Sequence, residues 1–176
     1  MRQAVRWLAL LALCAGVPGT ADAARAPGPG RAAIASAHPL ATEAGLEVLR
    51  AGGNAFDAAV AVASALAVVE PTGSGLGGGA FFLLHRARDG REAFIDARER
   101  APAAATRDMF LDAAGNPDRE RAQRSALAAG IPGEVAGLGE LARHYGRLPI
   151  ARSLQPAIRL AREGFPLYPH LQEALG

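Results

Sequence analysis

The segment Asp96-Ala97-Arg98-Glu99-Arg100-Ala101-Pro102 is a dense group of ionisable side chains at the end of a strand-like run, and a proline closes it. A charged cluster at the end of a strand is where a sheet can present side chains to a ligand. The same residues could form a solvated turn whose charges pair with one another, and side-chain chemistry alone leaves both readings open. The second candidate is Glu70–Phe82, E-P-T-G-S-G-L-G-G-G-A-F-F, with glycines at 73, 75, 77, 78 and 79. Glycine costs conformational entropy on folding, so a cluster implies unusual dihedrals or close backbone approach. Gly73, Gly75 and Gly78 spell G-x-G-x-x-G. That dinucleotide fingerprint requires a strand before the turn and a helix after it, so that phosphate meets the helix N-terminus. Here a helical run precedes and a strand-like run follows, which excludes the nucleotide reading. A nucleophile elbow also fails, since Thr72 stands where Ser74 would need a glycine. His38 has no second ligand at metal spacing nearby and reads as a turn residue before Pro39.

The elements that position these residues follow from pattern. Ala32–Ser36 is a short apolar strand candidate. Thr42 to about Arg50 reads as a helix with Leu46 and Leu49 on one face, stopped by Gly52-Gly53-Asn54. Residues 55–69, A-F-D-A-A-V-A-V-A-S-A-L-A-V-V, are apolar nearly all round, which predicts a helix buried on several sides rather than a membrane span. Strands over 80–87 and 92–97 meet across Arg88-Asp89-Gly90-Arg91, a hairpin signal. Residues 106–117 read as surface loop. Gly130-Ile131-Pro132-Gly133 is a tight turn opening a helix over 134–145, with Val135, Leu138 and Leu141 at helical spacing. A further helix spans 151–163, carries Leu154, Ile158 and Leu160, and ends at Gly164.

Composition narrows the function classes. Half of the 176 residues are hydrophobic but only 5% are aromatic, so alanine, valine and leucine must build the core. All 19 basic residues are arginine, dispersed among acids, and the formal charge is only +2, which gives no nucleic-acid surface. Residues 1–23 read as a secretory signal: Arg2 and Arg6 precede an apolar run from Trp7 to Val17, too short to span a bilayer, and Ala21-Asp22-Ala23 offers a cleavage site. Cys14 leaves with that signal; Leu13 is too large for the position before a lipidated cysteine. Residues 24–31 are a flexible leader, and 32–176 form the mature domain. The expectation is an exported protein, periplasmic or secreted, without a membrane span after signal removal and without thiol chemistry.

Three blocks in order carry a resemblance: A-T-E-A-G-L-E-V-L-R-A-G-G-N-A-F-D-A-A-V-A, then the glycine-rich segment, then I-D-A-R-E-R-A-P-A-A-A-T-R-D-M-F-L-D. G-I-P-G-E-V-A-G-L, H-Y-G-R-L-P and P-A-I-R-L-A-R-E-G-F continue it, so that it covers about residues 32–170. Together they resemble the N-terminal part of the large subunit of a γ-glutamyltranspeptidase (γ-glutamyltransferase / glutathione hydrolase). The resemblance implies an α+β fold, part of the αββα sandwich of N-terminal-nucleophile hydrolases and incomplete in this chain. It implies export, and autocatalytic cleavage of a precursor into two subunits. The new N-terminal threonine attacks the γ-glutamyl amide of glutathione or another γ-glutamyl compound, helped by its free α-amine. Backbone donors stabilise the oxyanion, and the acyl group passes to water or to an acceptor amino acid or peptide. No metal or organic cofactor is implied.

Arg98, in D-A-R-E-R-A-P, matches the family arginine that holds the α-carboxylate of the γ-glutamyl group. A guanidinium suits that task because it offers a planar, bidentate fork, which lysine does not. Glu99 is a weaker candidate for orienting Arg98. Gly77, Gly78 and Gly79 are expected to shape the floor beneath the site. The family nucleophile belongs to a T-T-H-like segment, and none of Thr20, Thr42, Thr72 or Thr106 sits in one, so no catalytic nucleophile is assigned here. The chain thus reads as an N-terminal fragment, inactive alone, whose partner is the small subunit of the same precursor. Two other readings stand beside this one: a non-catalytic exported scaffold or pseudo-enzyme remnant, and an acylase relative acting on a different amide. Arg98 argues for a substrate with a free carboxylate.

Overall fold

An alanine-rich core forces close helix contacts, and the fold is built on them. The computed structural model describes residues 32–176; the expected signal and leader lie outside the described residues. Helix α1 spans Pro39–Arg50 and α2 spans Ala55–Val69. Strands β1, Ala80–Arg86, and β2, Arg91–Ala97, pair antiparallel from Ala80 opposite Ala97 to Arg86 opposite Arg91. Then come α3, Arg119–Arg124, a 3-10 turn at Ala126–Ala128, α4, Glu134–His144, α5, Ile150–Glu163, and α6, Pro169–Leu175. Residues 34–176 form one compact unit.

Helix α2 is the centre, as its all-round apolar sequence predicts. It packs against α1, α4 and α5. Ala65 and Val69 join Ala41, Ala44 and Ala157 in one buried cluster, while Val60 joins Leu84, Leu138 and Leu141 in another. The small residues set the spacing. A Cβ on Gly45 would stand 2.6 Å from Ile34 Cδ1 and 2.7 Å from Val62 Cγ2, so the α1–α2 crossing needs glycine there for space. None of the helices among the described residues is long and apolar enough to cross a membrane.

Both ends of the connection into α2 are fixed by hydrogen bonds. Asn54 Oδ1 accepts the N–H groups of Phe56 and Asp57 at 2.9 and 3.0 Å, and Asp57 Oδ2 accepts the Asn54 N–H at 2.8 Å. This is a reciprocal capping box. Asn54 Nδ2 also donates to the Tyr145 carbonyl at 2.8 Å, tying the cap to the end of α4. Asn54→Ala is expected to lower stability by about 1–2 kcal/mol, read as a shift in the urea midpoint. An unchanged midpoint would make the cap dispensable.

Several sequence expectations are corrected. Ala32–Ser36 is not a strand: β1 and β2 pair only with each other, and no described strand is available to it. Ser36 instead donates to the His38 carbonyl at 2.9 Å and shares a 2.7 Å hydroxyl contact with Thr42, which turns the chain into α1. That helix starts at Pro39, not Thr42, because His38 Nδ1 accepts the Leu40 N–H at 3.1 Å and proline is pre-organised for the first helical position. His38 is therefore a cap, with Tyr168 tilted against its ring at a 5.0 Å centroid distance. The buried face of α1 is Ala41, Ala44, Gly45 and Val48; Leu46 and Leu49 are only partly covered. In α4, Leu138 and Leu141 are buried, but Val135 faces out at 57% exposure. The hairpin closes at Arg86 and Arg91, so its loop is Ala87–Gly90, with Gly90 at a positive φ of 65°. Helices α4 and α5 differ from expectation by one residue at one end each.

The hairpin has two unlike faces. Phe82, Leu84, Ala93 and Ile95 turn toward α2 and α4. Phe81, Leu83 and Phe94 lie on the opposite face and are mostly exposed, the two phenyl rings stacking at 5.6 Å. The fold is α+β, with one two-stranded sheet among the described residues.

Candidate functional site

Residue 98 is placed by the end of β2. Ala97, the last strand residue, is buried with its Cβ against Gly137. The Arg98 N–H donates to Asp96 Oδ1 at 3.0 Å, which bends the chain out of the sheet. Two residues on, Arg100 and Ile131 exchange backbone hydrogen bonds of 3.1 and 2.8 Å. That pair brings the Gly130–Gly133 turn alongside the charged cluster. The turn in turn reaches the glycine-rich segment, where the Gly78 carbonyl accepts the N–H groups of both Gly133 and Glu134 at 3.1 Å. Three segments distant in sequence therefore meet at residues 78, 97–100 and 130–134.

The Arg98 side chain is 56% exposed. Its Nη1 lies 2.7 Å from Glu99 Oε2 as an ion pair without the alignment of a hydrogen bond. Its guanidinium carbon is 5.9 Å from the centroid of the Phe81 ring. A guanidinium carries five N–H donors in a fixed fork, so Glu99 at one nitrogen leaves other donors available to an incoming anion. The open alternatives for this cluster are thus both partly realised: Arg98 is paired, and it remains accessible.

Arg98 lines two clefts. One, of about 400 Å³, is bounded by Ile95, Arg100, Ile131, Gly133 and Glu140. The other, of about 350 Å³, is bounded by Ser74, Gly78, Gly79, Glu99 and Glu134. The three candidate glycines differ in their surroundings. A Cβ on Gly79 would stand 2.5 Å from Glu99 Oε2 and 2.8 Å from the Ala97 carbonyl oxygen. One on Gly78 would lie 3.6 Å from Glu99 Oε1, and one on Gly77 would meet nothing within 4 Å. Gly79 thus provides room for the Glu99 carboxylate, and Gly77 stands clear of it.

Glu134 is a component that sequence reasoning did not single out. It begins α4, is 8% exposed and faces the second cleft. Burial first, and the charge of Glu99 second, hold its carboxyl above the ordinary carboxylate range. The signal that could have found it is an acid directly after a glycine-bounded turn. Because the folded state binds this proton more tightly than the unfolded chain, its stability contribution is full below the unfolded titration range. It is lost as pH rises through the raised folded one. Glu134→Gln is expected to remove that fall, seen by comparing urea midpoints of the two proteins across the acid-to-neutral range. Superimposable pH profiles would contradict the assignment.

Two of the described threonines have hydroxyl partners of their own. Thr42 lies inside α1 against Ser36, and the Thr72 hydroxyl donates to Glu70 Oε1 at 3.1 Å. Among the described residues, no three His, Cys, Asp or Glu side chains gather as a metal site would require.

Comparison with known proteins places this geometry among relatives. A family model described as Gamma-glutamyltranspeptidase matches residues 41–176. The glutathione hydrolase proenzyme of Escherichia coli (strain K12) is 52% identical over 132 residues, covering 75% of this chain and 23% of that protein. The glutathione hydrolase proenzyme of Bacillus subtilis (strain 168) is 46% identical over 144 residues, covering 81% and 24%. Among solved structures, Helicobacter pylori gamma-glutamyltranspeptidase superposes with a TM-score of 0.80 at 43% identity, covering 84% of this chain and 42% of that one. The chain spans about a quarter of the length of the curated relatives it matches.

Proposed function

Because the chain belongs to the gamma-glutamyltranspeptidase family, we propose that it supplies the carboxylate-binding side of a site that hydrolyses or transfers the γ-glutamyl group of glutathione and other γ-glutamyl amides. In this reading the N-terminal threonine of a small subunit, released from the same precursor by self-cleavage and lying outside residues 1–176, attacks the γ-carbonyl carbon. Its proton passes to the threonine's own α-amine and then to the departing amine. The resulting ester is opened by water or by the amine of an acceptor amino acid or peptide. Arg98 holds the α-carboxylate of the γ-glutamyl group, which fixes the γ-carbonyl relative to the nucleophile. Glu99 orients Arg98, and Gly78 and Gly79 form the floor, with Gly79 making room for Glu99. No metal or organic cofactor takes part. The protein acts after export.

The observation that carries the reading is the position of Arg98: a half-exposed guanidinium at a strand end, ion-paired on one side and lining two clefts. An exposed cation with free donors is suited to a small carboxylate, and charge-assisted bidentate pairing gives it orientation as well as affinity.

The direct test is release of glutamate from glutathione by the full-length gene product, with transfer to glycylglycine measured in parallel. Turnover of either kind is expected. Absence of both in a folded, processed protein would instead favour a non-catalytic exported scaffold.

A further inference from the structure

We infer that the Gly130–Gly133 turn is the positioning element for Arg98, with Gly133 as its closest support. The inference rests on the reading of Arg98 as a carboxylate clamp and adds residues that do not themselves touch substrate. Gly133 has φ −109°, a region open to any residue, so its backbone conformation does not call for glycine. Space does. A Cβ there would collide with the Ala97 carbonyl oxygen and stand 2.6 Å from the Arg98 carbonyl oxygen. Both obstacles are backbone atoms and cannot swing aside as a flexible side chain could. The peptide groups on either side of the Arg98 Cα thus rest directly on Gly133.

The turn is itself held on both sides. The Arg100–Ile131 pair fixes it to the chain leaving the site, and the Gly133 and Glu134 N–H groups fix it to the Gly78 carbonyl. Gly130 makes a softer contact, its would-be Cβ lying 3.1 Å from Glu99 Cβ. Any displacement of this turn passes to the Arg98 backbone, and a guanidinium on a long side chain amplifies a small shift at its Cα. A bidentate contact depends on that placement, and displacements near 1 Å can cost about a hundredfold in rate.

The test uses the full-length gene product and two anilides, γ-glutamyl 4-nitroanilide and its 4-aminobutyryl analogue, which lacks the α-carboxylate. Gly133→Ala is expected to raise KM for the γ-glutamyl anilide roughly tenfold, with kcat changed less than about twofold and no change toward the analogue. Gly130→Ala, whose added Cβ would press on Glu99 Cβ at 3.1 Å and asks for a smaller shift than the overlap at Gly133, is expected to raise the same KM by about twofold to threefold; it carries the test if Gly133→Ala does not fold. A purely structural role would lower kcat for both substrates together. Arg98→Lys is the control. No KM change in Arg98→Lys would reject the clamp reading itself. A rise in Arg98→Lys with unchanged KM in the glycine variants, or equal losses on both anilides, would overturn this inference alone.

Discussion

Arg98→Lys in the full-length gene product is expected to raise KM for a γ-glutamyl amide by roughly 10- to 100-fold while sparing much of kcat. The estimate comes from the interaction removed: one charge-assisted hydrogen bond is worth about 1.5–3 kcal/mol, and tenfold corresponds to about 1.4 kcal/mol. Lysine keeps the positive charge but not the planar pair of donors. The Glu99 carboxylate would remain beside it, since Gly79 provides that carboxylate with room and Glu99 Oε2 has no other partner. An ammonium on a flexible stem would settle on Glu99 and compete poorly for substrate. Arg98→Ala should be worse, leaving Glu99 next to an incoming carboxylate with no cation between them. Initial-rate measurements over a wide substrate range check both variants. A KM within twofold of wild type for Arg98→Lys would remove Arg98 from the site.

Asp57→Ala is expected to destabilise the fold by about 3–5 kcal/mol, the largest stability effect of any single change considered. Asp57 is completely buried at the start of α2. Its carboxylate accepts the Asn54 N–H at 2.8 Å, the Arg147 N–H at 3.0 Å and the Leu148 N–H at 3.2 Å. The side chain thus joins the central helix to the α4–α5 connection, about ninety positions away. Alanine would strand those donors in the interior, each costing about 1–3 kcal/mol if water does not reach it. Asp57→Asn, which keeps the shape and one acceptor oxygen, should lose less. Urea unfolding of both variants gives the comparison, and a loss below about 1 kcal/mol for Asp57→Ala would show that the connection finds other acceptors.

Helix α2 was legible because composition settles it: fifteen residues without a polar face have to be enclosed, and the structure covers them on several sides. The hairpin was legible from Asp-Gly between apolar runs. Arg98 and Glu99 stood out as charges at a strand end closed by a proline, and the structure puts them in contact. What escaped depends on distance in sequence. Ala32–Ser36 has strand-like residues, but a strand exists only with a partner. His38 caps a helix although imidazole is not among the usual capping groups. Asp57 carried no signal of its own within an apolar run, because its partners at 147 and 148 are invisible to any local pattern. Val135 precedes Leu138 by three residues, yet two successive i+3 steps leave it about 120° round the helix from Leu141, off the buried face. Gly133 carried no signal beyond membership of a turn, since its role is to be small next to a strand end at Ala97, far away in sequence.

The outer face of the hairpin shows the same limit on a larger scale. Alternation predicts that Phe82 and Leu84 face a core, and they do. It cannot say what meets Phe81, Leu83 and Phe94, which together leave an apolar patch that isolated domains seldom expose.

The most direct measurement is a crystal structure of the full-length gene product with bound glutamate. Both α-carboxylate oxygens are expected to lie about 2.7–2.9 Å from guanidinium nitrogens of Arg98, with Glu99 still paired to its other side. Glutamate bound with its α-carboxylate away from Arg98 would contradict the central claim, whatever activity the protein proved to have.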